Sequence, residues 1–197
     1  MKNLTSIYAV VLATSFYSPN VLSHSGEVHP PEGDEYLVDI AYKKTHEFSR
    51  ELKLTLHSAI AKGGFAAGIS ACNSEAPEIK TAFSKDGWEI GRTSLKTRNP
   101  KNSPDEWEAK ILKEFQRDKD NGAEFSELAH SEIIEKDGQR IFRFMKAIPA
   151  KSMCLTCHGS RIGPSLSAKL KWKYPNDKAV NYRVDDIRGA FTLTKKL

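Results

Sequence analysis

Two cysteines stand three residues apart and a histidine directly follows the second, in "AKSMCLTCHGSRIG" at residues 150–163. Cys154, Cys157 and His158 carry the clearest chemistry in the chain. A thioredoxin-like pair would open a helix after a strand in a β-α-β setting. Here the sequence predicts a hairpin strand before the pair and a Gly/Pro-rich loop, "HGSRIGPS", after it. A structural zinc takes four ligands, usually as two spaced pairs, and the chain has one pair. A structural disulfide needs no adjacent histidine. C-x-x-C-H is instead the attachment signature of c-type haem. Two thioethers must reach the vinyl carbons on one edge of the porphyrin, and the next residue must point at the iron. The sequence therefore predicts one haem c, attached at Cys154 and Cys157, with His158 as an axial ligand of the iron.

The candidates for the second axial position are Cys72, Met145, Met153, His46, His57 and His130. Met153 adjoins Cys154 and is badly placed to reach the opposite face. Met145 lies in an alternating strand and fits core packing. His46 and His57 fall on a helix whose polar side can carry them. Cys72 sits in a run of small residues, "AAGISAC", that allows a flat ring to come close. A buried free cysteine is the more ordinary outcome for such a residue. Residue types and spacing leave the choice open.

The elements that must position these residues lie in one domain. The chain has 197 residues, 39% hydrophobic and 28% charged, enough to bury a core and too polar for a membrane bundle. Residues 1–23 read as a secretory signal peptide, with Lys2, an apolar run from Leu4 to Phe16, and "VLS" at Val21–Ser23. That run is too short and too interrupted to cross about 30 Å of hydrocarbon. No cysteine follows it to take a lipid. The expected address is the periplasm, by cleavage near Ser23 or Ser25, with no stable membrane insertion. Removing residues 1–23 takes away Lys2 and no acid, so the net charge of +5 becomes +4. Basic residues mixed with acids along the chain, in an exported protein, argue against nucleic acid as a partner.

Residues 24–34, "HSGEVHPPEGD", read as a flexible leader, and residues 35–197 as the domain. Phe48, Leu52, Leu56, Ala59 and Ile60 recur at helical spacing until Gly63-Gly64 interrupts the pattern. "APEIKTAF" reads as a further short helix with Pro77 in its first turn. Lys85-Asp86-Gly87 reads as a turn and "WEIGRTS" as a strand. The grammar of "SPDEWEAKILKEFQRDKDNG" predicts a helix with Ser103 as N-cap, Pro104 in first position and Glu106 completing a capping box. Its buried face would be Trp107, Ile111, Leu112 and Phe115, and Asn121-Gly122 would end it. "SEIIEKDGQRIFRFMKAI" predicts a hairpin turning at Asp137-Gly138. Ile187, Gly189, Phe191 and Leu193 are expected on one face of a last strand. Helices followed by an antiparallel sheet make an α+β domain.

Four blocks, "ACNSEAPEI", "GRTSLKTRNPKNSPDEWE", "AIPAKSMCLTCHG" and "DIRGAFTL", resemble the signature blocks of a bacterial single-haem c-type haem family. That family was long labelled a domain of unknown function. It occurs as a lone exported protein and as the sensor part of kinases and chemoreceptors. The resemblance spans roughly residues 35–197. It implies a PAS-like fold, an antiparallel sheet flanked by helices. It also implies an iron ligated by His158 and by Cys72, the cysteine of the first block. The chain departs from the pattern at "NYRVDDIRGA", which lacks the glycines expected before Asp186. Arg92 and Arg98 in the second block are candidates for pairing the haem propionates, beside a purely structural role for that turn.

Two protein ligands leave no open iron position, which argues against a haem enzyme. A thiolate holds ferric iron strongly and can leave on reduction, which opens a place for CO or NO. The expected function is a redox or diatomic-gas sensor signalling to a separate protein. The alternative is a monohaem electron carrier with its own redox partner, which would favour a ligand such as Met145.

Overall fold

The computed structural model describes residues 34–197. The signal peptide and all but the last residue of the leader lie outside them. Helix α1 (Glu35–Phe83) is two arms broken at Gly63 and Gly64, where φ is −148° and +67°. The break reverses the chain. A Cβ on Gly68 would meet Ile60 at 2.9 Å and Leu56 at 3.1 Å, and Phe83 returns beside Phe48 with ring centroids 5.6 Å apart. Leu56 and Ile60, expected on one apolar face, thus grip the second arm through Gly68. Pro77 does not open a new helix. It lies inside the second arm, where its fixed φ suits the helix and its missing N–H removes one backbone donor from the helical ladder.

Strands β1 (Trp88–Thr93), β2 (Ala129–Lys136), β3 (Gln139–Pro149) and β4 (Ile187–Lys196) form one antiparallel sheet in the order β1-β4-β3-β2. The last strand is therefore inserted beside the first. Asp137 and Gly138, at φ of 52° and 74°, make the expected hairpin turn. Asp86 and Gly87 also take left-handed φ in the expected turn before β1.

One face of the sheet packs against α1 through Phe48, Trp88, Ile90, Phe142, Phe144, Phe191 and Leu193. The other packs against α2 (Glu106–Asp120) through Ile111, Leu112, Phe115, Met145 and Ala190. Trp107 is only half-buried at the rim of that layer, where its Nε1–H donates to Glu132. The cap of α2 is Asp105, not Ser103. The Asp105 carboxylate accepts from Glu108 N–H at 2.8 Å, and Glu108 accepts from Asp105 N–H at 3.1 Å. Ser103 instead closes the preceding 3-10 turn (Pro100–Asn102), its N–H bonding the Pro100 carbonyl, and the helix starts two residues later than expected, at the reciprocal Asp105–Glu108 pair. Glu108 then also accepts from Thr192 and faces buried Arg143.

The last strand holds a second departure. Ile148 pairs with Gly189 and Pro149 with Ile187, so Arg188 is skipped in a β-bulge. The bulge shifts the alternation by one. Ile187 joins Ala190 in the α2 layer, while Phe191 and Leu193 face α1. Ile187 is thus not on the face expected for it.

Candidate functional site

Past the end of β3, a 3-10 turn (Ser152–Cys154) runs into a one-turn helix, α3 (Leu155–His158). Cys154 and Cys157 therefore lie on one face of a helical turn rather than in an open loop. Both thiols are free and half-buried, as is Cys72. The turn closes at Gly159, where a Cβ would stand 2.6 Å from the Leu155 carbonyl oxygen. Helix α4 (Pro164–Lys173) follows and packs Leu170, with Tyr174, against Ile69 of the second α1 arm and half-buried Cys157.

The segment between α4 and β4 holds the histidine. His158 Nδ1–H donates to the Ala179 carbonyl at 2.8 Å. A carbonyl only accepts, so this bond fixes the tautomer and leaves the lone pair on Nε2. Tyr182 stands edge-on to the imidazole, centroids 6.2 Å apart, and its N–H binds the His158 carbonyl at 3.0 Å. Burial, helped by Arg188 and Arg98 and opposed by the Ala179 bond, lowers the His158 pKa to about 2. The ring is neutral at any working pH.

The helical reversal brings Cys72 to the same place. Burial raises its pKa, against the pull of Arg92, Arg98 and Arg188 and with a small push from Glu75. Cys157 is likewise raised first by burial, with Arg98 lowering it and Cys72 and Cys154 adding to the rise. Cys72 and the C-x-x-C-H turn thus share one environment. Other iron-ligand candidates do not. Met145 is fully buried under α2 in the opposite layer. His46 and His57 are exposed on the first arm. His130 lies on β2 beside Glu132 and Trp107. Met153 is 45% exposed beside the attachment cysteine.

Arg92 follows Trp88 and Ile90 on the α1-facing side of β1 and is half-buried. Arg98 has another employment. Its Nε donates to Asp177 at 2.9 Å, and Nη2 donates to the Cys157 and Ala179 carbonyls. It therefore ties α3 to the segment that orients His158. The residue that the sequence reading missed is Arg188. It stands in the quoted "DIRGAFTL" block, but only the bulge turns it toward this site. The left-handed positions of the neighbouring segment are held by Asn181 and Asp185, at φ of 63° and 64°, in place of the expected glycines.

A four-stranded antiparallel sheet with helices on both faces and a C-x-x-C-H turn at its end defines an α+β, PAS-like domain. The sequence profile of the Tll0287-like family matches residues 10–195, so the chain belongs to that family. A crystal structure of the cyanobacterial haem protein Tll0287 superposes with a TM-score of 0.55 at 23% identity, covering 82% of this chain and 95% of that one. That likeness is one of fold. No curated protein matches the chain. No helix among the described residues is long and apolar enough to cross a membrane.

Proposed function

We propose that this protein carries one haem c and works in the periplasm as a redox- or gas-responsive haem protein. The observation that carries the reading is the His158 ring. It is held at Nδ1 by a backbone carbonyl, with Nε2 free beside two unpaired thiols three residues apart. This donor set fits the group: Cys154 and Cys157 for the thioethers, His158 and Cys72 for the iron. The fold neighbour is itself a haem protein. Bound there, the haem supplies one-electron redox chemistry and an affinity for small diatomic molecules. The chain's residues do the rest. Cys154 and Cys157 would anchor the group, His158 would be held ready at Nε2 by its Nδ1 bond, and Cys72 would supply a thiolate whose affinity for iron depends on the oxidation state, which would make the binding of CO or NO redox-dependent.

The test is expression with a c-type haem maturation system, followed by denaturing electrophoresis with haem staining. The wild type is expected to keep haem through denaturation. Cys154→Ala with Cys157→Ala is expected to lose essentially all of it. A wild type without covalent haem would sink the reading.

A surface feature favours the alternative, electron transfer to a docked protein. Residues 160–178 hold five basic side chains and one acid, and that acid, Asp177, is paired to Arg98. Trp172, 73% exposed among them, sits on the helix that covers the attachment turn. The partner in either reading is an acidic protein surface. Charge reversal at Lys169 and Lys171 is expected to slow reduction by an acidic flavodoxin at least tenfold at low ionic strength and to leave reduction by dithionite unchanged. Equal rates with flavodoxin would exclude this face.

A further inference from the structure

We propose that Arg92 and Arg188, and not Arg98, receive the two propionate carboxylates of the haem. The inference rests on the haem reading above and assigns the remaining charges of the same site.

Three guanidiniums converge on Cys72 and His158, since Arg92, Arg98 and Arg188 each act on both groups. Two of them remain uncompensated. Arg98 is neutralised by Asp177 at 2.9 Å, and its other bonds run to backbone carbonyls. It is a clamp. Arg92 has no hydrogen-bond or ion-pair partner among the described residues, and its neighbours are Cys72 and Tyr174. Arg188 is positioned but not neutralised. Its Nη1 donates to Ser94 Oγ at 3.2 Å and to the Lys96 carbonyl at 3.4 Å, and its guanidinium lies 5.2 Å from the Tyr182 ring centre. No carboxylate pairs with it among the described residues.

Two half-buried positive charges that repel each other are costly without anions beside them. Burial indeed lowers the basicity of both. A haem brings two carboxylates. Arginine's planar fork suits a carboxylate bidentately, and lysine does not reproduce it. Ser94 strengthens the assignment. Its hydroxyl donates to the Arg188 carbonyl at 2.8 Å while its oxygen accepts from Arg188 Nη1, so the protein itself orients the side chain.

The test compares haem-loaded wild type with Arg92→Met, Arg188→Met and Arg98→Met, using haem-stain yield, resonance Raman propionate bands and the midpoint potential against pH. Arg92→Met and Arg188→Met are expected to keep covalent haem and shift the propionate bands. Each should also show a midpoint potential that varies between about pH 5 and 8 as the uncapped propionate titrates. Arg98→Met is expected to leave the propionate bands in place and to lower the yield of attached haem several-fold. Arg92→Lys and Arg188→Lys serve where a methionine variant does not accumulate, with the same bands displaced. Wild-type bands and pH dependence in loaded Arg92 and Arg188 variants would overturn the assignment alone. A wild type that takes up no haem would overturn the haem reading and this one with it.

Discussion

Cys72→Ala is expected to abolish the low-spin thiolate signature in the ferric optical and EPR spectra and to raise the midpoint potential. The shift should be on the order of 0.1 V or more, within the roughly 0.8 V that axial ligands span. The loaded variant should also bind CO without the delay that ligand release imposes on the wild type. The expectation follows from what else could reach the iron. Met145 is locked beneath α2, and His46, His57 and His130 stand outside the site. Tyr174 does lie near Cys72, but burial raises its phenol pKa and disfavours the phenolate that would bind iron in place of the sulfur. Covalent attachment and fold should persist, because Cys72 is only half-buried and the helix around it is secured by Ile69, Ala71 and Ala76. Identical spectra in variant and wild type would remove Cys72 as a ligand. The electron-carrier reading would then be the stronger one.

Local grammar was legible in the sequence. The Asp137-Gly138 hairpin, the existence and end of α2 and the apolar partners of Phe48 follow from short-range rules, and the structure contains them. Gly63-Gly64 announced a break but not its consequence. Two helices separated by a glycine pair can diverge or fold back. The fit of Gly68 against Leu56 and Ile60, with Phe83 returning beside Phe48, selects the return that carries Cys72 to the C-x-x-C-H turn. The run of small residues around Cys72 therefore serves a helix–helix contact at Gly68, beside whatever it permits at the haem. Arg98 and Arg188 show the same limit. Both are arginines near loops, and their different roles depend on Asp177 and on a bulge, 79 residues away in one case. Long-range pairings of this kind leave no periodic trace. The shift of the α2 cap was closer to hand, since Asp105 with Glu108 obeys the same capping rule as the pair first expected.

Gly189→Ala tests whether the bulge organises the site. A Cβ there would lie 2.3 Å from the Thr93 carbonyl oxygen and 3.1 Å from Ser94 Cβ, at a φ of +156°. The obstructing atoms are mostly backbone of β1, so relief requires β1 to part from β4. The expected loss is about 3 kcal/mol, the upper part of the range for overpacking. In a domain of this size that lowers Tm by roughly 6–12 °C. Gly138→Ala is the control. Its φ is +74°, but a Cβ there meets nothing within 4 Å. It should show only the backbone cost of a left-handed alanine, about 1 kcal/mol. The two variants also separate by their effect on the haem site. Gly189 borders Arg188, and Ser94, against which the new methyl would press, holds the Arg188 guanidinium. Gly189→Ala is therefore expected to reproduce the potential and Raman shifts of Arg188→Met in whatever fraction stays folded. Gly138→Ala should leave them untouched. Equal melting of the two variants would mean that the strands separate at little cost. The bulge would then be a tolerated irregularity, and Arg188 would reach the site by some other constraint.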